Sequence, residues 1–172
     1  LDDWVQWAYQ NNLDTDVISF IQYRPNLLSA FNADEYAFPT PRAWSMVSKK
    51  MSRANSDPER LFFGVSSLVG DGPAGEFVAF KEIASKLPDI DQLIKDPSTY
   101  KKDDNPALLY ALSTAVAARA EDDLMENIMK LNKKIPVEFQ VVLVKGCLAK
   151  NRELKSHNDV RKWIVDNANV VL

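Results

Sequence analysis

Several of the nine prolines in this chain directly follow a residue that commonly caps a helix, among them Thr40-Pro41, Asp57-Pro58, Gly72-Pro73 and Asn105-Pro106. Proline at the first helical position wastes no N–H, and its φ is already helical. Such pairs mark helix starts and are hard to place in a sheet, where proline breaks the ladder. The apolar residues that follow them recur at i, i+3 and i+4. Trp44, Val47 and Met51 line one face after Pro41. Leu61, Val65, Leu68 and Val69 do so after Pro58, and Phe77, Phe80, Ala84 and Leu87 after Pro73. Leu108, Leu112 and Val116 follow Pro106. Similar stripes run through Trp4 and Ala8, through Val17, Phe20 and Ile21, through Leu124, Ile128 and Leu131, and through Val160, Ile164 and Ala168. Strict alternation with turns every few residues is absent. The expected fold is all-α, a helical bundle.

One segment is ambiguous. VEFQVVLV, 137–144, is β-branched enough for a buried strand. Phe139, Val142, Leu143 and Cys147 also share a helical face, and with no partner strand in view the segment is read as helix. DPSTYKKDDNP, 96–106, is polar with proline near each end and is read as a linker. It would divide the chain into helical units at 1–95 and 106–172, with 96–105 between them.

At 172 residues and 46% hydrophobic content, the chain can bury a substantial core. Its net charge of −3 argues against a nucleic-acid partner. No apolar run approaches the roughly 18–20 residues of a spanning helix, so no membrane partner is expected. One cysteine and one histidine exclude a Cys/His zinc site built by this chain alone, and no metal site is expected. The single cysteine fits a cytoplasmic protein. The chain begins LDDW, without methionine, and is read as a piece of something longer.

Gly70, Gly72 and Gly75 spell G-x-G-x-x-G. The pattern signals dinucleotide binding only between a strand and a helix, with an acidic residue ending a second strand about 20 positions on. KLPDIDQL, around Asp89 and Asp91, is no strand. The glycines are therefore read as a turn between helices, with Gly70 as the left-handed stop and Gly72-Pro73 as the next start. Cys147 and His157 lack a third catalytic member, and Cys147 lies on an apolar stripe, so both are read as structural. Asp2/Asp3, Asp34/Glu35, Asp103/Asp104 and Glu121/Asp122/Asp123 sit at helix starts or in linkers, where carboxylates cap and solvate. Arg24, before Pro25, could meet a phosphate or cap the preceding helix. The tryptophans are read as mostly core.

Arg42 is the residue out of place. In a first helical turn the dipole is positive, and a cation is unfavourable there by about 0.3–1 kcal/mol. Pairing with Asp34 or Glu35 would offset this cheaply. A bound anion would do so too, because helix N-termini and arginine forks both take phosphate.

The order of segments favours the anion. DVISFIQYRPNLLSAFN, FPTPRAWSMVSKKM, LVGDGPAGEFVAF, LPDIDQLIKDP, NPALLYALSTAVAARA and IPVEFQVVLVKGCLA together resemble the C-terminal helical lid and extension of MoxR-like AAA+ ATPases of bacteria or phage. In that family a Ser/Thr-Pro-Arg segment opens a lid helix. The resemblance implies that Arg42 is a second-sensor arginine, reaching the γ-phosphate of ATP on a neighbouring core, and that Thr40 and Pro41 set its geometry. It implies ATP and Mg2+ as cofactors of the parent protein. It also implies a homo-oligomeric ring, the chain's own AAA+ core as intramolecular partner, and partner proteins carrying a von Willebrand A-type domain. There is no G-x-x-x-x-G-K-S/T loop and no acidic strand end. This segment alone is expected neither to bind ATP tightly nor to hydrolyse it. The alternative is a non-catalytic helical adaptor.

Overall fold

The computed structural model describes residues 1–51 and 57–168, and all its regular structure is helical. Among the described residues there is no strand. The chain divides into two compact units between Lys86 and Leu87. The expected boundary at 96–105 differs, for a reason visible in the packing. Leu93, Ile94 and Pro97 are buried, on a short helix and a 3-10 turn that pack within the second unit. Of the expected domains, 52–56 and 169–172 lie outside the described residues.

The first unit contains α1 (Asp2–Gln10), α2 (Thr15–Tyr23), α3 (Pro41–Met51), α4 (Pro58–Val69) and α5 (Asp71–Ala84). Three of these helix starts carry a side-chain cap. The Asp14 carboxylate accepts the Asp16 N–H at 2.9 Å, Asp57 accepts that of Glu59 at 3.0 Å, and Thr40 Oγ1 accepts that of Ala43 at 3.0 Å. Gly70 ends α4 and caps α5 at φ +86° and ψ 163°, a region that only glycine enters readily. The positive φ expected of Gly70 is present. The next helix starts at Asp71, ahead of Gly72-Pro73.

An aromatic cluster forms this unit's core. Phe20 on α2 meets Trp44 of α3 at 5.4 Å between ring centroids, and Phe77 and Phe80 of α5 at 5.3 and 5.5 Å. These tilted and edge-on geometries add to the area buried. Two ion pairs tie α5 to the second helix and its end: Lys81 to Asp16 at 2.9 Å, and Arg24 to Glu76 at 2.7 Å. Arg24 thus spends its guanidinium on α5. Not every expected core residue is inside. Trp7 is 42% exposed, while Val5, Ala8 and Tyr9 carry the buried face of α1.

The second unit contains α6 (Ile90–Lys95), α7 (Pro106–Ala117), α8 (Met125–Asn132), α9 (Val137–Lys150) and α10 (Asn158–Asp166). The 137–144 segment is helical, as read. Asn105 caps α7 by accepting the Ala107 N–H at 3.0 Å. Every residue from Ala111 to Ala117 is buried, so α7 is a central helix rather than a one-sided stripe. It packs on α9, where Tyr110 meets Phe139 edge-on at 5.1 Å and Ser113 Oγ donates to the Phe139 carbonyl. Arg119 reaches Asp91 at 2.5 Å. Trp163, with Val160, forms the buried face of α10, and its Nε1 donates to Gln140 Oε1 at 2.8 Å.

Candidate functional site

Thr40, Pro41 and Arg42 lie where the sequence places them, across the start of α3. Pro41 is the first helical residue and has no N–H. Thr40 Oγ1 takes the N–H of Ala43, and the Thr40 carbonyl takes that of Trp44 at 3.0 Å. In this first turn the N–H of Arg42 is left with no acceptor among the described residues. Arg42 thus presents one open backbone donor and one guanidinium from the same residue.

Two positions on, Trp44 is fully buried, and its Nε1 donates to the Leu27 carbonyl at 2.6 Å. Ala43, Val47 and Ser48 are buried beside it. Ser48 Oγ accepts the Asp14 N–H at 2.8 Å, which links α3 to the start of α2. With this face inward, Arg42 is exposed. It forms no ion pair with Asp34 or Glu35, the local partners considered above. Asp34 is held in a turn by the Asn32 side chain, which accepts its N–H at 3.1 Å. Glu35 directs its carboxylate to Gly70 at the α4–α5 corner.

The charge on α3 is one-sided. Its charged residues are Arg42, Lys49 and Lys50, with no carboxylate on the helix. Lys49 and Lys50 occupy the last turn, where the dipole favours them, and Lys50 Nζ donates to the Gly64 carbonyl at 3.0 Å. Arg42 alone sits at the unfavourable end, with no carboxylate paired to it among the described residues.

Other candidates are structural. Cys147 is fully buried on α9, and burial pushes its thiol up to about 12, so it is no nucleophile at neutral pH. His157 Nδ1 accepts the Asp159 N–H at 3.3 Å and caps α10. Of the three glycines only Gly70 joins two helices, Gly72 and Gly75 lying within the first turns of α5, and the element before them is a helix instead of the strand that dinucleotide binding requires. An open depression of about 430 Å³ is lined by Asp122, Glu126, Ser156, His157, Asn158 and Asp159. Glu126 there is paired with Lys130 at 2.7 Å, and that hydrogen bond holds its carboxyl below the usual range. Among the described residues no three His, Cys, Asp or Glu side chains gather as a metal-binding group, and no helix is long and apolar enough to cross a membrane. Sequence reasoning did not find the Arg24–Glu76 and Lys81–Asp16 pairs, whose partners are 52 and 65 positions apart.

Compared with family models, curated proteins and solved structures, the chain finds no match in any of the three.

Proposed function

We propose that this chain is the lid and helical extension of a MoxR-like AAA+ ATPase, and that Arg42 is its γ-phosphate contact. The observation that carries the reading is the environment of Arg42. A cation sits at the positive end of a helix, exposed, with no carboxylate paired to it among the described residues, on a turn whose other N–H groups are already used. Nothing local offsets the dipole conflict. An anion brought by another domain would. A phosphate oxygen could accept from the Arg42 N–H while the guanidinium spans two others.

In this account the ATP cradle and the Mg2+ ligands belong to the core domain, since the chain has neither a phosphate-binding loop nor a metal-binding cluster among its described residues. The arginine stabilises charge on the transferring phosphoryl group. It also makes lid position depend on whether the γ-phosphate is present, which turns hydrolysis into motion.

The test begins with the coding sequence ahead of Leu1. A G-x-x-x-x-G-K-S/T loop and an acidic strand end within about 150–250 residues, one domain's length, support the ATPase. An uninterrupted stretch of coding sequence lacking both supports a helical adaptor instead. The 172-residue chain alone should neither bind ATP tightly nor turn it over.

A further inference from the structure

The connection that leads into Arg42 is long but built. From Leu28 to Thr40 it has no regular structure, yet its ends are bridged by the Ala30 N–H donating to the Pro39 carbonyl at 3.1 Å. Phe31 and Phe38 meet edge-on at 5.0 Å across it. Its middle rests on the α4–α5 corner. A Cβ placed on Gly70 would lie 2.8 Å from the Ala37 carbonyl oxygen and 2.9 Å from Glu35 Oε2. The first contact is to backbone, which cannot swing aside as a side chain can. Gly70 is therefore needed twice, for its backbone conformation and for this close approach.

From Ala37 the chain reaches Arg42 through Phe38-Pro39-Thr40-Pro41. Proline fixes φ near −65° at 39 and 41 and confines the residues before them, Phe38 and Thr40, to extended conformations. Pro39 is buried. Such a segment behaves as a short strut and passes a displacement along instead of absorbing it. Trp44 fixes the body of α3; the turn ahead of it is tied to that body by Ser45 Oγ donating to the Pro41 carbonyl at 2.9 Å, and its entry is set by the Thr40 cap and this strut.

We propose that Gly70 is a positioning residue for Arg42. By admitting the Ala37 carbonyl to the α4–α5 corner, it sets where the strut delivers the first turn of α3. The inference rests on the proposed phosphate contact of Arg42. It adds that the α4–α5 corner and the arginine move as one, so a force on that corner alters catalysis.

A double-mutant cycle on ATP turnover by the full natural polypeptide tests this. Gly70→Ala should lower kcat about ten- to a hundredfold, the cost of displacing a reacting contact by about 1 Å. In an Arg42→Ala background, Gly70→Ala should change kcat by less than about twofold, because the residue acts through the arginine. A folded Gly70→Ala protein with full turnover, or one whose loss multiplies onto that of Arg42→Ala, overturns the proposal. Should Gly70→Ala fail to fold, Pro39→Ala keeps the carbonyl that bridges the loop and softens the strut. It should show the same dependence on Arg42, and full turnover by that variant overturns the proposal. Arg42→Ala alone separates the two levels. Unimpaired turnover there removes the phosphate contact itself, and the positioning role with it.

Discussion

Arg42 and Trp44 stand two residues apart on opposite faces of α3, one exposed and the other fully buried with its Nε1 bonded to the Leu27 carbonyl. The pair separates what holds the helix from what the helix presents. Trp44→Ala should cost about 3–5 kcal/mol, as large aromatic truncations in cores do. Trp44→Phe should cost about 1–3 kcal/mol, since it leaves the Leu27 carbonyl without its buried donor. Arg42→Ala should move stability by no more than about 0.5 kcal/mol. Urea unfolding of the three variants checks the ranking. Destabilisation by Arg42→Ala comparable to that of Trp44→Phe would mean that the arginine is structural.

The cap ahead of Arg42 should be worth about 0.5–2 kcal/mol, so Thr40→Ala should lower the melting temperature while Thr40→Ser retains most of the wild-type value. The same calorimetric scan separates this from a side-chain packing role, in which serine would lose as much as alanine.

Asp14 yields a pH prediction. Burial, then the nearby Asp16 carboxylate, raises its carboxyl above the ordinary 3.8. The folded state therefore holds the proton more tightly than the unfolded one. The contribution of this group to stability falls as pH rises from about 3.8 through the folded value, and is constant above it. Asp14→Asn keeps an oxygen to accept the Asp16 N–H and removes the charge. Its melting temperature relative to wild type should be more favourable at pH 7 than at pH 3. An equal difference at both pH values would show that Asp14 titrates normally.

Cys147 should be silent to a thiol-disulfide reagent at pH 8 in the folded protein and react fully in denaturant, because the thiolate needed for attack is suppressed by burial. Fast reaction of the native protein would place the sulfur near solvent.

Asn132 is wholly buried at the end of α8, and neither of its side-chain amide atoms has a hydrogen-bond partner among the described residues. An unmet buried amide costs about 1–3 kcal/mol. Asn132→Val, a smaller change in volume than leucine would make, removes both polar atoms and should be neutral to stabilising by up to that amount in chemical denaturation. A clear loss of stability would reveal an internal water bonded to the amide.

The legible parts of the fold were those with local causes. Thr40-Pro41, Asp57-Pro58 and Asn105-Pro106 each open a helix because cap and proline act within three residues. Gly70 was readable as a stop with positive φ, but its ψ of 163° lies outside the left-handed helical conformation expected of it. The all-round burial of α7 from Ala111 to Ala117 was not legible, since a helix packed all round has no stripe, and Leu108, Leu112 and Val116 trace only one of its faces. Helix α6 was missed as a member of the second unit, because six residues beside a polar run carry too little periodicity. At the candidate site, the place of Arg42 was readable from Thr-Pro-Arg, but the fate of its neighbours was not. Glu35 is seven positions from Arg42, yet its carboxylate goes to Gly70, 35 positions away, and only the folded loop decides that.

The central claim is that Arg42 completes a phosphate site on another domain. It is tested most directly by single-turnover ATP hydrolysis in the full natural polypeptide, comparing wild type with Arg42→Ala and Arg42→Lys. A contact made to the transferring phosphoryl group predicts a loss of about a hundredfold or more in the chemical step for alanine, with a smaller loss for lysine. Hydrolysis at the wild-type rate by Arg42→Ala would contradict the account and leave Arg42 a surface residue of a helical domain.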